Sequence, residues 1–584
     1  MVVLNELPFE LINAIFKFCD KLWLVRLRNL VVDDNLSLLV ECIDSALFER
    51  VIITSCFKGT KIDFKSFPFC LANPIISTQS WFPPSYIQEI MLDQEVTICS
   101  AELLGNGNAM EIVQKYAKEI YYLRGCFDFP FEGEQSFIDF INSAKKLKHL
   151  GNSKVLTGIT TQLTQMEIPP NFAYEMLPDT FKKLESLAIT GFSIDTELGE
   201  YLNHSSHDLS KLKKLKLINC ISFFNGSEWN LCNLQELRIS RKEADSILIS
   251  NMKSSCFPLL RTLALGNCFL ANEIGITDLS SLVLFDMDIS KNPVSFNSVR
   301  NLNELSLRNV ELIEIPILSH LQKLKSLEIT KNKELVEVNN NFLDLLNLTS
   351  INLSNNNIHS SLVDFSIFTK LKELNLSENK LTSLDYVDDI PCLIRLNVRH
   401  NEITGLGRLL YPYLRELDIS WNQLKSLKEL NNLPSLVDLK FNSNKITDIP
   451  NFTFPNLRAL RVGKNPLRDL ESLTNLTNLK ILHLGNIVIE SFQNLNFIKD
   501  LGNLRGLYLF LNGIKEIESF QIRGLRASFK IEMYNLKLKE SFDSLFGDNE
   551  KLTIYCRLGA GSKFCLFSGL LIEPHNEMYY WKYK

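Results

Sequence analysis

From Leu371 onward the chain repeats one frame: LKELNLSENKL, LIRLNVRHNEI, LRELDISWNQL, LVDLKFNSNKI and LRALRVGKNPL. The frame reads LxxLxLxxNxL. Its first positions are Leu371, Leu393, Leu414, Leu436 and Leu457, spaced by 22, 21, 22 and 21 residues. It extends back through Leu348, Leu324, Leu302, Leu284, Leu260, Leu234, Leu212 and Leu184, and forward to Leu479 and Leu504, giving fifteen frames. One frame cannot bury its own leucines, so consecutive frames must stack and share a core. The LxL pair alternates as a strand does and sends both leucines to one side. Asn holds the ninth position in nine frames: Asn292, Asn332, Asn356, Asn379, Asn401, Asn422, Asn444, Asn465 and Asn512. A buried Asn must be hydrogen-bonded, so these side chains are expected to satisfy the backbone as it turns after each strand. Cys220 and Cys268 take that position in two earlier frames and read as structural thiols.

Over roughly residues 181–515 this pattern resembles the leucine-rich repeats. The resemblance implies an α/β solenoid with a curved parallel sheet of about fifteen strands and an Asn ladder. Repeats of 21–22 residues leave room on the convex side for a short 3₁₀ turn. The longer frames before Leu260 have room for true helices. In length and lead-in the repeats are similar to those of the phosphatase-regulating leucine-rich proteins.

The first 48 residues follow a different rule. Leu7, Leu11, Ile15 and Cys19 recur every four residues, and Ile12 and Phe16 widen the stripe into an amphipathic helix with Pro8 in its first turn. Leu22, Leu24, Leu27 and Leu30 suggest a second helix, and Leu36 to Leu47 a third. Leu7-Pro8, Glu10-Leu11, Ile15-Phe16, Leu22, Leu24 and Leu27-Arg28 match the spacing of the F-box, which residues 1–48 therefore resemble. The motif's later Cys/Arg/Trp signature is replaced here by VVDDNLSLLVEC. The resemblance implies that Leu7, Pro8, Leu11, Ile15, Phe16, Leu22 and Leu24 contact a Skp-type adaptor. An F-box followed by leucine-rich repeats implies a substrate receptor of a cullin–RING ubiquitin ligase. The alternative is a repeat scaffold or phosphatase regulator whose first helices only cap the array.

Residues 49–180 form a linking region, either degenerate longer repeats beginning near 87, 117 and 144 or a separate subdomain. ERVIITSC and EVTICSAELL read as strands there, and AMEIVQKYAKEIYYL and GEQSFIDFINSAKKLKHL as helices. Residues 516–584 lose the Asn frame and read as a carboxy-terminal cap over the sheet edge.

Charge and motifs narrow the function. Sixty-two basic against 67 acidic residues give a net charge of −5, which argues against a nucleic-acid partner. The thirteen cysteines form no CxxC pair, and no clustered Cys/His set suggests a metal. No apolar run is long enough to span a membrane, and Glu6 and Glu10 interrupt the segment where a signal peptide would be apolar. A cytoplasmic or nuclear protein is expected. There is no GxSxG, no phosphate-binding GK[ST] loop and no HExxH. A non-catalytic protein without cofactor is therefore expected, its chemistry lying on the concave face. There, frames 284 to 371 carry Asp286, Asp288, Glu304, Glu328 and Glu373 against Arg308. The later frames carry Arg395, Arg399, Lys440 and Arg461 with Glu416, Asp418 and Asp438, then His400, Trp421 and Lys464 at the eighth position, and His483, Tyr508 and Phe510 in the last two frames. Aromatics beside basic residues are the composition of interface hot spots. The strip from Arg395 to Phe510 is the expected target surface, fitting an acidic or phosphorylated protein patch.

Overall fold

The structure, a computed structural model, describes residues 209–219, 223–227, 231–241, 247–290, 294–361, 363–407, 409–487 and 501–508. It also describes shorter stretches between 139 and 190 and between 495 and 500, and elsewhere only the backbone of isolated strands. The chain divides into two compact units, one of residues 1–261 and 267–272, the other of residues 262–266 and 273–584.

In the second unit, twelve strands from Thr262–Gly266 to Gly506–Tyr508 pair in parallel, each with the next along the chain. Two more, Lys530–Tyr534 and Thr553–Arg557, continue the parallel order. An antiparallel hairpin of Leu570–His575 and Met578–Tyr583 then pairs with Thr553–Arg557. The repeat explains the register. Glu373, Arg395 and Glu416, all third in their frames, lie side by side, as do the buried Leu374, Leu396 and Leu417 at the fourth position. Leucines at positions one, four and six are almost fully enclosed: Leu371, Leu374 and Leu376 expose 1% or less. Each buried leucine contributes about 1.5–3 kcal/mol, and the hydrophobic core runs continuously from turn to turn.

The first unit continues the theme. Seven strands between Ser100–Leu103 and Glu236–Ser240 pair in parallel in chain order. A further parallel pair joins Val51–Thr54 to Pro74–Ser77. Strands thus fall within ERVIITSC and EVTICSAELL, and fourteen of the fifteen frames carry one at their LxL pair. Parallel pairing also runs past both ends of the framed region, so the strand count exceeds fifteen.

Two expectations are corrected. The 26-residue frame beginning at Leu234 builds no helix among its described residues, while the convex segment of the 28-residue frame, residues 191–208, lies outside them. Phe223–Asn225, Ile247–Ser250 and Cys268–Leu270 instead form a second, three-stranded parallel sheet. Their buried residues alternate (Phe224; Ile247 and Ile249; Cys268 and Leu270), the period of a strand. The frame placed at Leu284 begins at Leu279. Its strand is Ser281–Phe285, in register with Thr262 on one side and Glu304 on the other. Asp286 and Asp288 consequently sit after the strand and not on its concave positions. Farther on, the convex side is thin as expected, with 3₁₀ turns at Phe365–Ile367, Lys428–Asn432 and Glu471–Asn475.

Residues 1–48, and with them Leu7, Pro8, Leu11, Ile15, Phe16, Leu22 and Leu24, lie outside the described residues, as do Cys220, Asn292, Phe510 and Asn512.

Candidate functional site

The Asn ladder fixes the rim where each strand ends. Asn332, Asn356, Asn379, Asn401, Asn422, Asn444 and Asn465 are all buried. Asn401 is typical. Its Nδ2 donates to the carbonyls of Leu376 and Val398 at 3.0 Å each, and its Oδ1 accepts from Leu381 N–H at 3.0 Å. One side chain thereby satisfies the backbone of its own turn and of the turn before. Cys268, at the same position earlier, is buried, and burial pushes its thiol up to about 12. That places it far from the thiolate a redox or metal role needs.

To enter the ladder the chain must reverse its twist one residue earlier. Every described eighth position from Asn267 to Asn486 has a positive φ near 50–60° except where Leu279 shifts the frame, and there Asp286 takes it at 52°. The eighth-position N–H then reaches the next turn: His400 N–H donates to Ser420 O at 2.9 Å and Trp421 N–H to Asn442 O at 2.7 Å. Asn tolerates this left-handed conformation and occupies the position in Asn267, Asn309, Asn355 and Asn486. His400 and Trp421 adopt it at 54° and 58°. For a Trp the conformation costs about 1 kcal/mol or more.

These forced positions bring the expected residues together. The rings of His400 and Trp421 stack at 4.6 Å with 16° between their planes. Lys464 places Nζ 4.7 Å from the Trp421 ring centre, and the Arg399 guanidinium lies 6.0 Å from it. Lys464 reaches across because the intervening turn supplies only Ser443, whose hydroxyl is buried and has no hydrogen-bond partner. Beside Lys464, Gly463 packs so closely that a Cβ would lie 2.4 Å from Gly485 O, so no side chain rises there. Trp421 remains 38% exposed.

The other basic residues of the strip have carboxylate partners. Arg395 pairs with Glu373 and lies 3.9 Å from Glu416. Lys440 sits 3.9 Å from Asp418 and 3.8 Å from Asp438, and Arg461 is 2.6 Å from Asp438. Arg308 is likewise paired with Glu328 at 2.6 Å. Sequence reading placed basic and acidic residues along the strip; the register pairs most of them, leaving Arg399 and Lys464 around Trp421 without an acidic partner among the described residues. Separate from this cluster, His483 and Tyr508, at equivalent positions on adjacent strands, stack at 3.9 Å and 2°.

A second ladder escaped sequence reading. Where Asn precedes a first leucine, its side chain donates to a carbonyl two residues before the preceding frame. Asn301 reaches Thr277 O, Asn347 Gln322 O, Asn456 Pro434 O, Asn478 Pro455 O and Asn503 Thr477 O, at 2.8–3.0 Å. The recurring Asn-Leu dipeptide was its signal. Lys323 and Lys370 reach only the Asn side chain of the preceding turn, and the ladder lapses at the exposed Cys392 and Tyr413. Nearby, a cavity of about 560 Å³ is lined by Asp389, Leu410, Tyr411, Pro412, Pro434, Thr453 and Pro455. Tyr411 donates its hydroxyl to Val387 O, and burial, with Asp388 and Asp389 nearby, raises its pKa well above the usual range. That keeps it a neutral structural donor. Among the described residues, no group of three or more His, Cys, Asp or Glu is placed to hold a metal, and no helix is long and apolar enough to cross a membrane.

No family model matches the chain. It is 35% identical over 114 residues to an uncharacterized leucine-rich repeat-containing protein of Schizosaccharomyces pombe; the match covers 19% of this chain and 18% of that protein. Among solved structures it is similar to a leucine-rich-repeat protein of Leptospira interrogans, at 21% identity and a TM-score of 0.47, covering 75% of this chain and all of that one. It is also similar to the plant peptide hormone receptor RGFR1 in complex with RGF2, at 19% identity and a TM-score of 0.44, covering 78% and 71% of the two chains. The repeating leucine frame, the parallel turns and Asn ladder it builds, and the stretch shared with the yeast protein make this chain a leucine-rich-repeat protein.

Proposed function

We propose that the solenoid is a protein-binding module whose target seats against the rim cluster around Trp421, and that residues 1–48 dock a Skp-type adaptor. The chain would then be the substrate receptor of a cullin–RING ubiquitin ligase in the cytoplasm or nucleus, itself transferring nothing. One observation carries the target-binding half. A Trp occupies a left-handed position that four other described turns between 267 and 486 give to Asn, and His400, Arg399 and Lys464 keep its ring at the surface without burying it. Strain retained at an exposed aromatic is a mark of a binding site, and an aromatic beside Arg is the composition of a hot spot. The adaptor half is supported by Leu7-Pro8, Glu10-Leu11 and Ile15-Phe16 at F-box spacing.

The test is a paired co-purification of the full chain that reads adaptor and target separately. Leu7→Ala with Pro8→Ala should abolish recovery of the adaptor and leave the repeats folded. Trp421→Ala should weaken target recovery and leave the adaptor unchanged. If the wild-type chain binds no adaptor at micromolar concentration, the ligase reading fails and a repeat scaffold replaces it.

A further inference from the structure

We propose that a proline-walled groove on the other rim of the repeats, where the strands begin, receives a lysine or arginine side chain of a partner protein. The groove shares no residue with the cluster around Trp421, so it is a second contact and not a refinement of the first.

Its walls follow from the repeat. Proline stands two residues before the first leucine in four successive frames, as Pro391, Pro412, Pro434 and Pro455, all exposed. Pro412, Pro434 and Pro455 line the cavity of about 560 Å³ with Asp389, Tyr411 and Thr453. Clefts that bind ligands span about 300–1,000 Å³. The flank bonds hold these walls in place. Ser435 donates its hydroxyl to Pro412 O at 2.7 Å, Asn456 donates to Pro434 O at 3.0 Å and Asn478 to Pro455 O at 2.8 Å. Walls already fixed by ring closure and hydrogen bonds lose little freedom when a side chain seats against them.

The hydrogen-bond inventory then selects the occupant. Proline has no N–H to offer. Tyr411 already donates its hydroxyl to Val387 O, and burial, followed by the charges of Asp388 and Asp389, keeps that hydroxyl protonated. The exposed Asp389 carboxylate only accepts. Among the lining side chains, Thr453 alone can still donate. The complementary side chain brings donors and no acceptor, which describes Lys and Arg. Their aliphatic stems suit proline walls while the cation meets the carboxylate.

Charge points the same way. Asp385, Asp388 and Asp389 stand close together in sequence, and no lining residue is basic. Arg415 and Arg458 follow three residues after Pro412 and Pro455, beyond the lining. Tyr413, which is 62% exposed, follows Pro412 and offers an aromatic surface to the residue flanking the basic one.

Immobilised full-length chain is offered degenerate peptide pools with a fixed central arginine, lysine, leucine or glutamate. The arginine and lysine pools should be retained about ten-fold more than the leucine pool, and the glutamate pool least, as one charge-assisted contact implies. Asp388→Asn with Asp389→Asn preserves side-chain size, and Asn tolerates the left-handed backbone of Asp389 at φ 54°. This pair should bring the basic pools down to the leucine level. Thr453→Lys sets a cation of the chain itself in the groove and should do the same. Glu378→Gln with Glu402→Gln removes two exposed carboxylates from the Asn-ladder rim and should change nothing. Trp421→Ala should also leave the basic pools retained. Equal retention of the basic and leucine pools overturns the proposal, as does wild-type retention in either folded groove variant. An equal loss in the Glu378/Glu402 variant overturns it in favour of diffuse attraction. A loss in Trp421→Ala places the peptides at the rim cluster, which overturns the groove and leaves the protein-binding reading standing.

Discussion

Lys464 holds its ammonium 4.7 Å from the centre of the Trp421 ring, across a turn that contributes only Ser443 between them. The contact follows from the repeat. Each turn sends its eighth residue to the same rim in the same left-handed conformation, so residues far apart in sequence line up in one column. Where that column holds Asn, the conformation is easy; where it holds Trp421, conformational strain and surface stacking oppose each other.

This opposition predicts the stability of two variants. Trp421→Asn relieves left-handed strain of about 1 kcal/mol and loses stacking and cation–π contacts of similar size. Its unfolding free energy should stay within about 1 kcal/mol of wild type. Trp421→Ile loses the same contacts and puts a β-branched residue at φ 58°, so it should be clearly less stable than the Asn variant. Denaturant melts of both distinguish the cases: if Asn costs as much as Ile, Trp421 is part of the structural frame.

The two ladders should differ in weight. Asn401→Leu removes one side chain, strands the N–H of Leu381 in a buried site and leaves the carbonyls of Leu376 and Val398 with only the donors from Asn379 and Asn422. It should cost at least about 2 kcal/mol. Asn456→Ala removes one exposed bond to Pro434 O and should cost less than about 1 kcal/mol. Equal shifts in thermal midpoint would show that the rim carries no special share of the stability.

Much of this was legible because the repeat states the same physical constraint many times. Leucines at three positions and Asn at the ninth placed the strands of turns 371 to 479 and the seven described ladder residues. Legibility ended where a local pattern admits two frames. DLSSLVLFDMDISKN contains Leu279-xx-Leu282-x-Leu284 and also Leu284-xx-Met287-x-Ile289 with an Asn at the ninth place. Only in-register pairing of Ser281 with Thr262 and Glu304 selects the first. The rim cluster was visible as a set of residues but not as an arrangement. Sequence shows Arg395, Lys440 and Arg461 together with Glu373, Glu416, Asp418 and Asp438; which carboxylate meets which base is set by register. The second sheet through Phe224 and Ile249 was hidden for the same reason, since three-residue strands become strands only by pairing.

Thiol reactivity should follow burial. Burial pushes the Cys268 thiol up to about 12, while Cys232 and Cys392 are exposed. N-ethylmaleimide at pH 8 should label Cys232 and Cys392 in the native chain and spare Cys268 until denaturant is added. Rapid native labelling of Cys268, read by peptide mass spectrometry, would contradict its place in the ladder.

The ion lattice makes a salt-dependent prediction. Arg395 lies between Glu373 and Glu416 on adjoining strands. Arg395→Glu would align three carboxylates across neighbouring strands and should destabilise by about 1 kcal/mol at low salt. Most of that loss should disappear at about 1 M salt, where the screening length is about 3 Å. A salt-independent loss would point to packing of the Arg395 stem instead.

The central claim is that the rim around Trp421 is where a partner protein binds. The direct measurement is the dissociation constant of a purified partner for full-length wild type and for Trp421→Asn, the variant expected to keep its fold. The account predicts a weakening of about ten-fold or more, the scale of a truncated hot spot, with an unchanged melting profile. An unchanged dissociation constant in a folded Trp421→Asn chain would contradict it.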